Sequence, residues 1–546
     1  MEKIVLLAIN AKYVHSSLAV WYIAASIKAR HGTQYDVSVI EANINQKIED
    51  IACTVAALKP DIVGISSYIW NARKLPELLG QLRELLTDAV FVLGGPEAVY
   101  NAQFWRNNGA DYVLKGQVDH SIDPYTDDYF KVNGDKLSYI EASRGCPFNC
   151  AFCLSADSNV EFFPLETVKE RIYKLSQSRT KTIKFVDRTF NCNPGRAYEI
   201  FEYIIGLETH CKFHFEVAAD LFDERTLSLI KTAPPGRLQF EIGLQSFFEP
   251  ALKASSRTTD LQKAELNIKS LLKAQNCHIH VDLIAGLPYE TLKDFHISFD
   301  RAYRLGAHTL QLGFLKLFHG TKLREQANSF EIVYNLNPPY EIQSSKWLNS
   351  DDLKVLKATE NALQHTYNKC RFITTIEYVL EVSGILPFDF YHSLGSNYPS
   401  HKTQLEDYIS QIYEFCNALP GVNNDILCDK LHYDWLSMVK GKNLPQFLKN
   451  RNTRRQISCV PLKSKVVASH GRTMSPESWS ALANDSGDAV RPCGVTTFDF
   501  TTQRTCPHVF GRNEYAVLSN GKVIYVDSSS KNPVTGLYKI NIECNQ

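Results

Sequence analysis

Short apolar runs alternate with amphipathic stretches in two successive cycles along this 546-residue chain, and that alternation leaves few folds open. In the first cycle the runs are Ile4–Ile9, Tyr35–Ile40, Asp61–Ser66, Ala89–Gly95 and Asp111–Gly116, with helical periodicity over Leu18–Arg30, Ile48–Leu58 and Leu75–Leu86. Nearly continuous apolar runs bounded by Gly, Pro or Asn suit strands buried on both faces. Repeated strand–helix units then predict a doubly wound parallel sheet, an α/β fold. Ligands on such sheets bind outside the carboxyl ends of the strands, which here means the loops Asn10–Ser17, Ser66–Asn71 and Gly94–Tyr100.

The second cycle starts at Leu137. Six runs follow one another (LSYIEA, TIKFVD, KFHFEV, RLQFEIG, HIHVDLIAG, TLQLGFL), separated by helical stretches such as Leu165–Ser176 and Leu261–Ala274. Six βα units predict a partial barrel, with its chemistry at the carboxyl ends of the strands. The expected organisation is therefore a sheet domain over 1–120, an acidic linker over 121–136, a barrel over 137–345 and a mostly helical region over 346–450. Residues 451–546 form a tail without an assigned role, in which Ser519-Asn520-Gly521 predicts a hairpin turn.

The 59 basic and 59 acidic residues balance, so no general basic footprint for nucleic acid is present. No run approaches the roughly 18 apolar residues of a membrane helix. The apolar start, MEKIVLLAIN, reads as a buried strand rather than a signal peptide, and a cytoplasmic location is expected. Of the 14 cysteines, three cluster in RGCPFNCAFC: Cys146, Cys150 and Cys153. In a reducing compartment such a cluster reads as a metal site. Three thiolates on one tight loop can hold three irons of a cubane and leave the fourth open. Zinc is the alternative, but it usually takes four protein ligands in paired spacings and no second pair follows.

This spacing, with Phe152 directly before the last cysteine, resembles the signature of the radical S-adenosylmethionine (SAM) superfamily, whose core is a TIM-type partial barrel. The resemblance implies a 4Fe–4S cluster on Cys146, Cys150 and Cys153, with SAM on the open iron as the source of a 5′-deoxyadenosyl radical. It extends to FVDRTFN with Asp187, FEV with Glu216, FEIGLQS with Gln245, and VDLIAGLPYET with Gly286 and Glu290. These residues, with Phe152, become candidate cofactor contacts; for each carboxylate a capping or surface role is the alternative. Gly286 is a position where backbone could approach the adenine closely.

A doubly wound domain ahead of the barrel resembles the cobalamin-binding subclass of that superfamily, in a bacterial branch with its own carboxy-terminal region. VLGGPEA, with Gly94 and Gly95, is similar to the subclass's corrin-facing glycine loop; an ordinary strand-to-helix turn is the alternative. The Asp-x-His-x-x-Gly lower-ligand motif is absent. His15 is the nearest candidate, with a capping or packing role equally open, and Gln117 stands where relatives commonly carry an acid.

The resemblance implies an enzyme, with methyl transfer to an unactivated carbon as the leading expectation. Oxidative ring formation or another radical rearrangement is the enzymatic alternative, and a non-catalytic redox sensor the alternative from another class. Methylthiolation of transfer RNA fits less well, because only Cys53 precedes the motif. The expected partners are a small-molecule substrate and an electron donor such as a flavodoxin or ferredoxin, with no membrane.

Overall fold

The computed structural model describes residues 1–156, 158–398, 404–439, 445, 447–448, 515–517 and 523–543. It divides into two compact units, one of Met1–Ser298 with Leu312–Leu353, the other of Phe299–Gln311 with Lys354–Gln546. The fold is α/β, as the alternation predicts.

The first unit begins with five parallel strands: β1 (Glu2–Asn10), β2 (Tyr35–Asn43), β3 (Ile62–Ser66), β4 (Val90–Gly94) and β5 (Tyr112–Leu114). Their order is β2-β1-β3-β4-β5. From Ile4 onward β1 is buried on both faces, which explains its unbroken apolar sequence. Val5, Leu7 and Ile9 pack with Val63, Phe91 and Leu93 against Ile51, Val55, Leu78 and Leu82 of the helices Ile48–Ala57 and Leu75–Leu85. Burial of each such side chain is worth about 1.5–3 kcal/mol. The strand order reverses between β1 and β3, so a crevice opens at their carboxyl ends.

Residues 121–136, expected as a linker, are packed rather than extended. Thr126 caps the helix Asp127–Asn133, whose first turn carries Asp127 and Asp128, the charge that a helix amino terminus favours. The buried Glu41 on β2 accepts from Asn133 (2.9 Å), from Trp21 of the helix Leu18–His31 (2.6 Å) and from Asn10 (2.6 Å). Arg171 grips the carbonyls of His120 and Ile122 at 2.7 and 2.9 Å. Tyr125, Tyr129 and Asn133 are buried within this acidic segment.

The barrel strands are β6 (Ser138–Ile140), then, after the antiparallel pair β7 (Ser143–Cys146) and β8 (Ser158–Phe162), β9 (Thr182–Phe185), β10 (Lys212–Val217), β11 (Leu238–Gln245), β12 (His278–Ala285) and β13 (Thr309–Phe314). They lie in the order β13-β12-β11-β10-β9-β6. Burial alternates along them with period two. Phe213, Phe215, Phe240, Ile242, Val281 and Leu283 form a fully buried face in which Phe185, Phe190, Phe201 and Phe215 touch ring to ring. The alternate positions carry Lys184, His214, Glu216, Glu241, His280 and Asp282.

In the second unit the helix Asn424–Met438 carries the buried Trp435 and Asp434. Asp434 accepts from the backbone N–H and hydroxyl groups of Thr374 and Thr375 at 2.7–3.2 Å, at the start of the helix Ile373–Ser383. Strands Tyr515–Val517, Val523–Lys531 and Tyr538–Glu543 form an antiparallel sheet. The predicted turn Ser519-Asn520-Gly521 lies outside the described residues.

Glu290, after β12, is fully buried and accepts from the hydroxyls of Ser246 and Ser298, joining the end of β11 to the helix Leu292–Tyr303. Its other oxygen has no partner. Burial raises its pKa from 4.5 to about 8, the two serines opposing the rise. The folded state then holds a proton that the unfolded chain releases, so this group makes stability fall as pH rises from about 4.5 to about 8. Glu290→Gln, which keeps the acceptor without the charge, is expected to flatten that slope; urea midpoints measured at pH 5 and pH 8 test it, and an unchanged difference would count against it.

Candidate active site

The cysteine loop is fixed at its root before any sulfur is reached. Asp187, at the end of β9, accepts from Ala142 N (3.0 Å) and from the Ser143 hydroxyl (2.6 Å). Arg196 holds the carbonyls of Ala142 and Phe163 at 3.2 and 2.6 Å. Gly145 has φ +99°, and a Cβ there would lie 2.2 Å from the Asn159 carbonyl oxygen, so only glycine fits between β7 and β8. Cys146 N donates to Ser158 Oγ (2.9 Å), Ala151 N to the Ser255 carbonyl (2.8 Å) and Leu323 N to the Ala151 carbonyl (2.8 Å). Cys146 and Cys150 are buried, Cys153 is half-buried, and all three are free thiols. Burial raises the Cys153 pKa. Phe152 is half-buried between the last two cysteines.

Beside this loop a cavity of about 580 Å³, partly open to solvent, is lined by Phe148, Cys150, Arg188, Glu216, Glu241, Gly243, Gln245, Arg257 and Asp282, among others. Its floor is charged. Lys184 Nζ lies 3.1 Å from Glu241 and 3.6 Å from Glu216, and His214 Nε2 lies 2.9 Å from Glu241. Burial alone would raise the Glu241 pKa, but the His214 hydrogen bond and the Lys184 charge outweigh it and hold it at about 2. Glu216 is shifted the other way: burial raises it and Lys184 only partly compensates. Glu241, His280 and Asp282 bring one ligand-type atom each within 4.8 Å of one another, but Glu241 is already paired with Lys184 and His214, and Asp282 with His280. Gln245 Oε1 and Arg257 Nε are buried without a hydrogen-bond partner, although both residues line the cavity, while Asp282 Oδ1 lies 2.9 Å from His280 Nε2. Polar atoms left this way are costly unless a ligand engages them.

Of the residues expected from sequence, the structure brings Cys150, Glu216 and Gln245 to one cavity. Asp187 and Glu290 lie outside its lining, engaged with the cysteine loop and with two serines. Gly286 also lies elsewhere: its φ is +97°, and a Cβ would come 2.8 Å from Ile342 Cδ1. Sequence reasoning missed Lys184, Arg188, Glu241, Arg257 and Asp282. Asp282 lies inside the quoted VDLIAGLPYET segment and could have been singled out; Arg257 stands in ASSRTTD, where no spacing marks it.

At the carboxyl edge of the first sheet, Ser67 N donates to the Gly94 carbonyl (2.7 Å). Gly95 has φ +104°, and a Cβ there would meet the Ser67 carbonyl oxygen at 2.5 Å. The Tyr68 and Trp70 rings stack with centroids 4.5 Å apart, and Trp70 Nε1 donates to the Ile9 carbonyl (2.9 Å). Tyr13, Trp70 and Tyr100 expose much of their rings along this edge. His15 Nδ1 lies 2.6 Å from the Tyr139 hydroxyl on β6, and burial, with Lys12 and Lys184, lowers its pKa. Gln117 accepts from Arg144 (3.2 Å). Glu97, in the VLGGPEA turn, is buried and accepts from the Tyr340 hydroxyl (2.6 Å).

Three family models match the chain: B12 binding domain over residues 4–123, Radical SAM superfamily over 140–302, and Protein of unknown function (DUF4080) over 328–468. An uncharacterized methyltransferase of Pyrococcus horikoshii is 22% identical over 377 residues, 59% of this chain and 80% of that protein. The cobalamin-dependent radical SAM methyltransferase TokK of Streptomyces tokunonensis is 20% identical over 316 residues, 46% of each chain. Among solved structures, the cobalamin-dependent S-adenosylmethionine radical enzyme OxsB matches with TM-score 0.54 at 12% identity, covering 83% of this chain and 80% of its own. The radical SAM methyltransferase TsrM from Kitasatospora setae, with cobalamin and a [4Fe-4S] cluster bound, matches with TM-score 0.50 at 15% identity, covering 62% and 79%. These structural likenesses are likenesses of fold. A B12-binding domain thus stands ahead of a radical SAM domain that carries the three-cysteine loop; the chain is an enzyme with this domain pair, and the two domains imply a 4Fe–4S cluster, S-adenosylmethionine and cobalamin as its cofactors.

Proposed function

We propose that this enzyme is a methyltransferase that delivers a methyl group to an unactivated carbon of a small molecule. The observation that carries the reading is the joining of the B12-type sheet edge to the barrel mouth within one compact unit. Glu97 meets Tyr340, His15 meets Tyr139, and the Tyr100 ring lies on Gly320, whose missing Cβ would be 2.2 Å from it. The methyltransferase names of the Pyrococcus and Streptomyces relatives support the same class.

The residues fit the cofactors. Cys146, Cys150 and Cys153 would hold the cluster as thiolates and leave one iron for SAM. The cavity beside Cys150 matches the polar ends of SAM: the Arg257 Nε–H suits its carboxylate, Glu216 its ammonium, and Gln245 Oε1 would accept from a hydroxyl. The exposed rings of Tyr13, Trp70 and Tyr100 offer flat apolar surface for a corrin, with His15 Nδ1 engaged by Tyr139. When bound, the cluster supplies the electron that cleaves SAM, and cobalamin carries the methyl group. The protein's own part is to hold these groups, set the charge around them and exclude water.

Anaerobically reconstituted protein incubated with SAM, a low-potential reductant and hydroxocobalamin tests the reading. Methyl transfer through a radical yields S-adenosylhomocysteine and 5′-deoxyadenosine together once substrate is supplied. Formation of 5′-deoxyadenosine alone would point to ring formation or rearrangement, and retention of no corrin after desalting would remove cobalamin from the reaction. Cys150→Ala is expected to lose the cluster's visible absorbance and all SAM cleavage while the corrin bands remain. Glu216→Gln is expected to keep both cofactors and weaken SAM binding about tenfold, or ~1.4 kcal/mol; isothermal titration with SAM measures it, and unchanged affinity would exclude Glu216 from the seat.

A further inference from the structure

The side chain of Arg257 is placed by its backbone before it meets the cavity. The loop that follows the helix Glu249–Ala254 turns at Ser256 (φ +52°), and Arg257 N donates back to the Leu252 carbonyl (2.9 Å). Two residues earlier, the Ser255 carbonyl accepts from Ala151 N inside the cysteine loop (2.8 Å), so the two loops are tied together by backbone. From there the guanidinium reaches Cys150: Nη1 lies 3.4 Å from its Sγ, while Nη2 donates to the Gly243 carbonyl. A Cβ on Gly243 would lie in ordinary contact with Arg257 Nη2 (3.7 Å) but 2.0 Å from Gln245 Nε2, so the missing side chain makes room for Gln245 beside the guanidinium. Arg188 lines the same cavity but is exposed and donates to none of the three sulfurs in the described contacts.

A guanidinium stays protonated at any working pH, so this contact is a charge-assisted N–H···S bond once the sulfur is a thiolate. Hydrogen bonds and positive charge at ligand sulfurs stabilise the reduced, more negative cluster and raise its potential. We propose that Arg257 is a positioning residue that sets the reduction potential of the cluster by donating to the Cys150 sulfur, in addition to any contact with SAM. The inference rests on the cluster reading of the three cysteines.

Reduced-cluster EPR signals recorded against applied potential, without SAM, test it on the reconstituted full chain. Arg257→Gln, at equal iron and sulfide content, is expected to lower the reduced-to-oxidised ratio at fixed potential about tenfold, a shift of about 59 mV to more negative values for a one-electron couple. Arg257→Lys, which keeps the charge and loses the planar fork, should fall between, and Arg188→Gln should shift the potential less. An unchanged potential in Arg257→Gln overturns the proposal while leaving the cluster reading intact; absence of a cluster from the wild-type protein overturns both. Should the glutamine variant fail to assemble, pulsed EPR on wild-type protein labelled with ¹⁵N-guanidino arginine decides the matter. A ¹⁵N hyperfine coupling that disappears in Arg257→Lys but survives in Arg188→Gln supports the hydrogen bond, and no coupling in the wild type overturns it.

Discussion

The cysteine loop hangs from one buried carboxylate. Asp187 takes the Ala142 amide and the Ser143 hydroxyl together, at the point where the chain leaves β6 and turns toward Cys146. Burial pushes its pKa up to about 6 even though both hydrogen bonds favour the charged form. The carboxylate thus pays its desolvation cost to fix the direction in which three thiols are presented. Downstream, Gly145 and Ser158 hold the hairpin, and Ser255 and Leu323 pin the loop from two other parts of the barrel. Thiol placement is therefore decided by hydrogen bonds that anchor the loop itself.

The same economy governs the first sheet. Parallel strands put every βα loop at one edge, and the order reversal between β1 and β3 separates two of those loops into a crevice. The aromatic residues Tyr13, Tyr68 and Trp70 lie on such loops, and Tyr100 ends the short helix Pro96–Tyr100 that follows β4. Their backbone is held by buried polar contacts, with Asn71 donating to the carbonyls of Ile9 and Ser66 at 3.2 and 2.9 Å. Glu97, Tyr340, His15 and Tyr139 then tie this edge to the barrel through hydrogen bonds rather than through a broad apolar seam.

Inside the barrel, charge replaces the branched aliphatic layers that fill closed barrels. Three carboxylates, one lysine and two histidines share the concave side. The His214 hydrogen bond and the nearby Lys184 keep Glu241 ionised, while burial pushes Glu216, further from the lysine, toward protonation. Buried charges that are paired but incompletely hydrogen-bonded contribute little net stability. Their presence beside the cysteine loop is better explained by ligand chemistry than by folding.

The fold class, the succession of strands and the position of the three cysteines were legible in the sequence, because periodicity and short covalent spacing are local properties. Glu216 and Gln245 were singled out by the family resemblance of FEV and FEIGLQS, at the ends of β10 and β11. The sequence could not tell Asp187 and Glu290 from them: all are polar residues at strand ends, and only packing decides which carboxylate faces a cavity and which is used against the backbone. Nor could it show that residues 121–136 are docked, since Glu41, which receives Asn133, is 92 residues away. Arg257 is the clearest case. It lies 107 residues from Cys150 in an unremarkable loop, and only the curved parallel sheet, which brings the carboxyl ends of distant strands together, sets its guanidinium against that sulfur.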